Sequence, residues 1–324
     1  MRRDDRVYIF IPTRNCSAQL KDTVDSLLRQ TVTTAGIRIV FMDNASTDGT
    51  YEKELSYITM QPQLFSVFRE NVPTTEGRIL KKAMTALRFS EIGFSLLITP
   101  GDILYEDCLE CEMQLLIQND NVGFVVAEVD LRDGEDKPVL QEPLYAENCE
   151  LMLKYNKAAY FSTGIGHKIQ LLFRGKFLPT GETLPSYAQL SQFNDWVSVS
   201  ALQQDPFLYI REKKSCIYIK ETEDPIGRLT DVTFWMKRMF YSVEIGSVPI
   251  NKEEDFLPGE REESYRGMAI LALQYSSEQI KKQRPDLARK CLLYAEIMYL
   301  NIVNEEVYKT AKQAIDDMEK MRKL

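Results

Sequence analysis

The stretch Ile39-Val40-Phe41-Met42-Asp43-Asn44-Ala45-Ser46-Thr47-Asp48-Gly49-Thr50 decides the fold of this chain. Its first four residues are apolar and read as the end of a buried strand that begins at Ile37. The strand stops on Asp43, and the residues after it favour turns. Ser46, Asp48 and Thr50 are helix-capping types and Gly49 is a turn residue, so a helix should follow. Strand, polar turn and helix make the unit from which layered α/β domains are built.

Upstream, Val7-Tyr8-Ile9-Phe10-Ile11 is another apolar, β-rich run, ended by Pro12; Leu20, Val24, Leu27 and Leu28 then keep helical spacing up to Gln30. Downstream, Tyr51, Leu55 and Ile58 mark a helix and Leu64 to Phe68 a strand. Ile79, Leu80, Ala83, Met84 and Leu87 give an amphipathic helix, and Phe94 to Ile98 a fourth strand. Leu109, Met113 and Leu116 mark a further helix, with Val122 to Val129 a strand after it. This alternation predicts an α/β domain with a mostly parallel central sheet. Such sheets bind ligands at the carboxyl ends of their strands. The segments to examine are therefore Pro12 to Asn15, Asp43 to Thr50, and Thr99 to Asp102.

After Asp130 the pattern becomes mixed and partly antiparallel. A polar turn covers Asp133 to Pro138, strands are expected over Ile169 to Phe173, Phe207 to Ile210 and Cys216 to Lys220, and a helix over Asp195 to Leu202. Glu221 to Gly227 reads as a linker. Beyond it, residues 229–245, 260–278, 284–300 and 303–323 look helical. Pro285-Asp286 is a helix start, with Leu292, Leu293, Ala295 and Met298 as the apolar face. The expected division is an α/β domain over 1–227 and an all-helical domain over 228–324, without a clean repeat of about 34 residues. Leu292, Met298 and Leu300 need burial, against the α/β domain or in a homo-oligomer formed through these helices.

The chain has 324 residues and a net charge of −8, with 44% apolar and 27% charged residues. A sizeable core can form. The acidic balance argues against a nucleic-acid binder, which needs a basic surface, but leaves room for a locally basic nucleotide site. Met1-Arg2-Arg3-Asp4-Asp5 leads straight into a strand, without the apolar core of a signal peptide, and no apolar run approaches the roughly 20 residues of a membrane span. The expectation is a cytoplasmic protein, able to touch the inner face of the membrane peripherally. The 6 cysteines form no disulfide framework, and Cys108 and Cys111 read as two thiols on one helix rather than half of a zinc site.

Tyr8-Ile9-Phe10-Ile11-Pro12-Thr13-Arg14-Asn15, a helix, and then Ile39 to Thr50 resemble the opening of family 2 glycosyltransferases. That family reads apolar strand, Pro-x-Tyr/Arg-Asn, helix, apolar strand, Asp-Asn/Asp-x-Ser-x-Asp-Gly-Thr. The resemblance covers about residues 6–220 and implies a GT-A fold, a nucleoside-diphosphate sugar (a UDP-sugar first) as donor, and transfer with inversion. It also implies a setting such as bacterial polysaccharide synthesis or protein glycosylation, with a glycan, lipid-linked glycan or glycoprotein as acceptor.

Asp43 ends a buried strand, where a rigid carboxylate can accept from a pyrimidine ring N–H or a ribose hydroxyl. Pro12 and Thr13 end the neighbouring strand and line the base, and Arg14 reaches a phosphate. Asn15 and Asn44 belong to the same two motifs. Asp48 is assigned mostly to a capping or turn role. Arg78 lies in the helix that the family sets beside the nucleotide, whereas Lys81 and Lys82 read as a solvated face. Family members usually carry Asp-x-Asp after the fourth strand, meeting nucleotide and a divalent metal. Here Thr99 and Gly101 stand in the carboxylate positions and only Asp102 survives, so either a manganese or magnesium ion rests on Asp102, its waters and the substrate phosphates, or the protein is a metal-independent enzyme or an inactive relative.

On the acceptor side, Asn194-Asp195-Trp196 stands where the family has Glu-Asp at a helix start. The resemblance makes Asp195 the base that takes the acceptor proton; as a plain residue it reads as a helix N-cap. Trp196 either stacks on a sugar or packs under its helix. His167, the only histidine, is either a loop residue near the acceptor or diphosphate or an exposed loop histidine. Two rivals stand beside the enzyme: a non-catalytic relative that binds nucleotide or a partner enzyme, and an adaptor built on the C-terminal helices. A nucleotidyltransferase is disfavoured because no glycine-rich basic loop opens the chain.

Overall fold

The computed structural model describes residues 6–32, 36–87, 92–132, 137–139, 151–154, 169–177, 207–210, 216–219 and 260–322. The described residues fall into two compact units, one between 6 and 219 and one between 260 and 322.

The first unit opens β1 (Val7–Thr13), α1 (Ser17–Leu28), β2 (Ile37–Asn44), α2 (Thr50–Met60), β3 (Phe65–Glu70), α3 (Glu76–Ala86) and β4 (Phe94–Leu97). β5 (Ile103–Leu104), α4 (Cys108–Gln118), β6 (Phe124–Glu128), β7 (Asp130–Arg132), β8 (Pro138–Val139) and β9 (Leu151–Lys154) follow, then β10 (Ile169–Arg174), β11 (Phe207–Ile210) and β12 (Cys216–Ile219). The main sheet has the order β3-β2-β1-β4-β10-β6-β11-β9, and β5-β12-β7-β8 form a second sheet. β1 pairs in parallel with β2 and β4, β2 with β3, and β11 with β6, whereas β10 runs antiparallel to both β4 and β6. The mostly parallel sheet of an α/β domain is therefore present. The short strands β5, β7, β8 and β9 lack a readable sequence pattern: two to four residues are too few for a period to register.

Burial explains the apolar runs. Ile9, Phe10, Ile11, Val40, Phe41 and Met42 are all fully buried, because helices cover both sides of the parallel strands. Phe41 and Phe65 stack at 5.7 Å and Phe124 and Phe207 at 5.2 Å, which ties neighbouring strands together. Where β10 ends, Gly175 donates to the Gly93 carbonyl at 2.8 Å, and a Cβ there would stand 2.0 Å from the Ile92 carbonyl oxygen. The backbones can approach this closely only without a side chain. Gly175→Ala should therefore lower unfolding stability by about 1–3 kcal/mol, read by denaturant melts, through the overpacking it forces. An unchanged midpoint would show that the strand end shifts freely.

The second unit contains α5 (Glu260–Lys281), α6 (Pro285–Met298) and α7 (Glu306–Arg322). Pro285 sits at the first turn of α6, where its missing N–H costs nothing. Ala269, Ala272, Leu273, Ala288, Leu292, Ala295, Ile302 and Ile315 form the core. Arg266 meets Glu305 through two hydrogen bonds, at 2.6 and 3.0 Å. Leu292, Ala295 and Met298 are buried as the spacing predicts, but Leu293 is 52% and Leu300 80% exposed. Neither is buried within this unit: Leu293, with Ile297 four residues on, lies on the exposed side of α6, and Leu300 comes after the helix has ended at the extended Tyr299. The expected helix over 229–245 and the linker lie outside the described residues.

Candidate functional site

The carboxyl ends of β1, β2 and β3 meet in register: Thr13 pairs with Asp43, and Asp43 with Arg69. The loops that leave β1 and β2 are stapled to each other. Asn15 N–H donates to Ser46 Oγ at 3.1 Å, Thr47 N–H to Asn15 Oδ1 at 2.9 Å, and Cys16 N–H to Thr50 Oγ1 at 2.9 Å. Asp48 accepts from Ser17 N–H and from Thr50 N–H, both at 3.0 Å. Its turn role is thus realised, and the hydrogen bond from the Thr50 hydroxyl, ahead of the two backbone donors, holds its carboxyl below the usual range. Asn15 and Ala45 have left-handed backbones, with φ of 50° and 57°. Both strained residues sit in the two loops that close the sheet's mouth, where such conformations are held in place by the surroundings.

Asp43 is 0% exposed. Its carboxylate accepts Ser46 N–H at 3.2 and 3.4 Å and lies 3.3 Å from Arg69 Nε. The Arg69 contact is an ion pair rather than an aligned hydrogen bond, since the buried Nε has no acceptor in line. The Arg69 guanidinium lies 3.7 Å over the Tyr51 ring, a cation–π contact that fixes its place. Sequence reasoning passed over Arg69. The available signal was a basic residue near the end of an otherwise apolar strand, one place from a turn.

Asn44 is a clamp: its amide donates to Thr74 C=O and accepts Thr74 N–H, both at 2.8 Å. This pins the loop that leads into α3, in whose first turn Arg78 lies. Arg14 and Arg78 are exposed, and no described group pairs with either guanidinium. Lys82 meets Glu70 and the Arg69 carbonyl, at 3.4 and 2.6 Å. Pro12 is half-buried and Thr13 buried at the end of β1. The structure thus brings Pro12, Thr13, Asp43 and Asn44 to one edge of the sheet, with Arg14 and Asn15 on the loop beyond β1.

The turn after β4 has its own construction. Asp102 Oδ2 accepts Thr99 N–H at 2.9 Å and the Thr99 hydroxyl at 2.5 Å. Gly101 N–H donates to Thr23 Oγ1, and that hydroxyl donates to the Asp102 carbonyl, each at 2.8 Å. Ser26 Oγ accepts Leu104 N–H at 3.2 Å, and Gln30 reaches the Tyr105 carbonyl at 2.7 Å. Thr23 and Ser26 on α1, with Gln30 just past its end, therefore fix residues 101–105. Gly101 has φ of 103°, a conformation that a side chain strains.

These residues do not fit the divalent ion that the resemblance implied. Among the described residues there is no group of three His, Cys, Asp or Glu able to hold a metal. Asp102 is the lone carboxylate of the turn, and one of its oxygens already accepts two hydrogen bonds. The family's other carboxylate positions hold a hydroxyl, Thr99, and a backbone, Gly101, that disfavours any side chain. Asp195, Trp196 and His167 lie outside the described residues. Cys108 and Cys111 are free thiols on α4.

The fold is that of an α/β domain of the GT-A type. Residues 8–166 match the sequence profile of Glycosyl transferase family 2, and the chain carries a glycosyltransferase domain of that family. In structure the chain is similar to S. aureus TarS 1–349, at 13% identity and a TM-score of 0.63, over 98% of this chain and 91% of TarS 1–349. The same TarS fragment in complex with UDP-GlcNAc gives 13% identity and a TM-score of 0.58, over 96% and 92%. The mannosyltransferase PcManGT from Pyrobaculum calidifontis, in complex with GDP-Man and Mn2+, gives 15% and 0.56, over 97% and 84%. No curated protein sequence matches the chain. Among the described residues no helix is long and apolar enough to cross a membrane.

Proposed function

We propose that this protein moves a sugar from a uridine diphosphate sugar to a hydroxyl of a glycan, lipid-linked glycan or glycoprotein, with inversion at the anomeric carbon. The observation that carries the reading is the stapled mouth of β1 and β2, with Asp43 held at its floor inside a family 2 domain. In this reading Thr13 and Pro12 line the base, and Asp43 sets the hydrogen-bonding edge that the nucleoside meets. Arg14 and Arg78, neither paired with a described group, meet the diphosphate. The acceptor hydroxyl gives its proton to Asp195 as its oxygen bonds the anomeric carbon. The bond from that carbon to the diphosphate oxygen breaks, and the diphosphate leaves with the electron pair. Catalysis then rests on positioning, one base and neutralised leaving-group charge. The TarS complex with UDP-GlcNAc and the PcManGT complex with GDP-Man support the donor class, and the TarS complex favours uridine.

No step is assigned to a divalent ion. UDP affinity by calorimetry should change by less than about fivefold, or about 1 kcal/mol, between EDTA and manganese. A gain of tenfold or more with manganese would restore a metal site to this turn. The same preparation, screened against a panel of nucleotide sugars and acceptors, tests transfer itself. Binding of UDP without transfer to any acceptor would favour the second reading, a non-catalytic relative. The observation that motivates it is Thr99 and Gly101 standing where carboxylates are expected.

A further inference from the structure

One group at the site has no place in the reading above. Glu54, on the first turns of α2, is 0% exposed. One of its carboxyl oxygens accepts the Thr13 hydroxyl at 2.7 Å. The other is buried and has no hydrogen-bond partner among the described residues. Resting on that reading of the nucleotide site, we propose that Glu54 is its positioning residue and works in the protonated form, holding the Thr13 hydroxyl while leaving Asp43 as the only buried negative charge among the described residues at the mouth.

The surroundings give the reason. Glu54 is faced by Thr13 from β1, Asp43 from β2 and Arg69 from β3, with Glu52 on its own helix and Cys16 on the adjoining loop. Arg69 is the single cation among them, and Asp43 already takes it. A charged Glu54 would put a second buried carboxylate beside Asp43, with the one Arg69 charge left to balance both, close to where a diphosphate would arrive. Burial, more than any other influence, pushes the Glu54 carboxyl up from 4.5 to about 8; the Thr13 hydrogen bond and the Arg69 charge oppose this, and Asp43 and Glu52 add to it. The proton also spares the buried oxygen pair a full charge that a single hydroxyl cannot solvate.

The sign of the pH effect follows. The folded protein keeps the proton where the unfolded chain has lost it. Glu54 therefore contributes its full stability below pH 4.5, and this is lost as pH rises towards about 8. Donor binding needs the protonated form, so it holds below that value and falls above it, by up to about tenfold per pH unit.

The test is UDP calorimetry on the full chain from about pH 6 to about pH 9.5, with melting temperature alongside, on the parent, Glu54→Ala and Glu54→Gln. Parent affinity should be level at the acid end and fall at the alkaline end. Glu54→Ala should lose about tenfold at neutral pH, since Thr13 is released. Glu54→Gln, the uncharged isostere, should recover most of that loss and flatten the alkaline fall. A purely structural role would not move the pH profile. A parent that binds UDP with a flat profile overturns the inference and leaves the nucleotide reading intact, as does a folded Glu54→Gln as weak as Glu54→Ala. If Glu54→Gln does not fold, the parent profile decides alone. A parent that binds no UDP at any pH removes the nucleotide reading and this inference with it.

Discussion

Asp195→Asn should reduce sugar transfer by roughly 100- to 10,000-fold, the contribution that a positioned general base typically makes. Asparagine keeps the size of the side chain and caps a helix about as well as aspartate, but it cannot accept the acceptor's proton at neutral pH. Donor affinity should persist, because the base serves the acceptor. The measurement is transfer rate at saturating donor, with melting temperature as the control for folding. A variant that folds, binds UDP and transfers at the parent rate would remove Asp195 from the mechanism and return it to a helix cap. Should the parent itself transfer nothing across a broad panel, the non-catalytic reading gains instead.

Asp43→Ala should weaken UDP binding by about 1–3 kcal/mol, the usual scale for a lost hydrogen bond to a charged group. At about 1.4 kcal/mol per decade that is a loss of about 5- to 150-fold. The structure adds a second consequence. Asp43 is also the partner of Arg69 and of Ser46 N–H, so alanine leaves a half-buried guanidinium and a buried donor without their acceptor. Melting temperature should therefore fall together with affinity. Asp43→Asn keeps an acceptor for Ser46 and separates the two effects: its stability should lie nearer the parent, with donor affinity still reduced. Unchanged UDP affinity in a folded Asp43→Ala would take Asp43 out of the donor site and leave it as the organiser of the loop.

The two motifs that flank α1 were legible because their chemistry is local. Apolar strand residues, a terminal carboxylate and a run of turn and cap residues fix the chain's direction over a dozen positions. The loops after β1 and β2 follow from that pattern, as does the turn role of Asp48. The alternation of strands and helices also reads out as a mostly parallel sheet, since each period is set by neighbours in sequence. The buried face of α6 was legible at Leu292, Ala295 and Met298 for the same reason, though the spacing did not predict that Leu293 and Leu300 would face outward.

Other features depend on residues distant in sequence. Arg69 gains its meaning only from the β2–β3 register, which sets it against Asp43. Glu54 reads as an ordinary surface position of a helix until β1 brings the Thr13 hydroxyl to it and the fold removes its water. The hold of Thr23, Ser26 and Gln30 on residues 101–105 spans some 75 positions or more, so no local period announces it. The same holds for the metal question. The sequence shows Thr99 and Gly101 in place of carboxylates, but only the folded turn shows Asp102 bound back to Thr99 and Gly101 in a left-handed backbone. The sequence by itself determined the α/β class, the two motifs that flank α1 and the position of Asp43. The tertiary structure decided which charges face one another, because burial and strand register, which no local pattern encodes, set their energies.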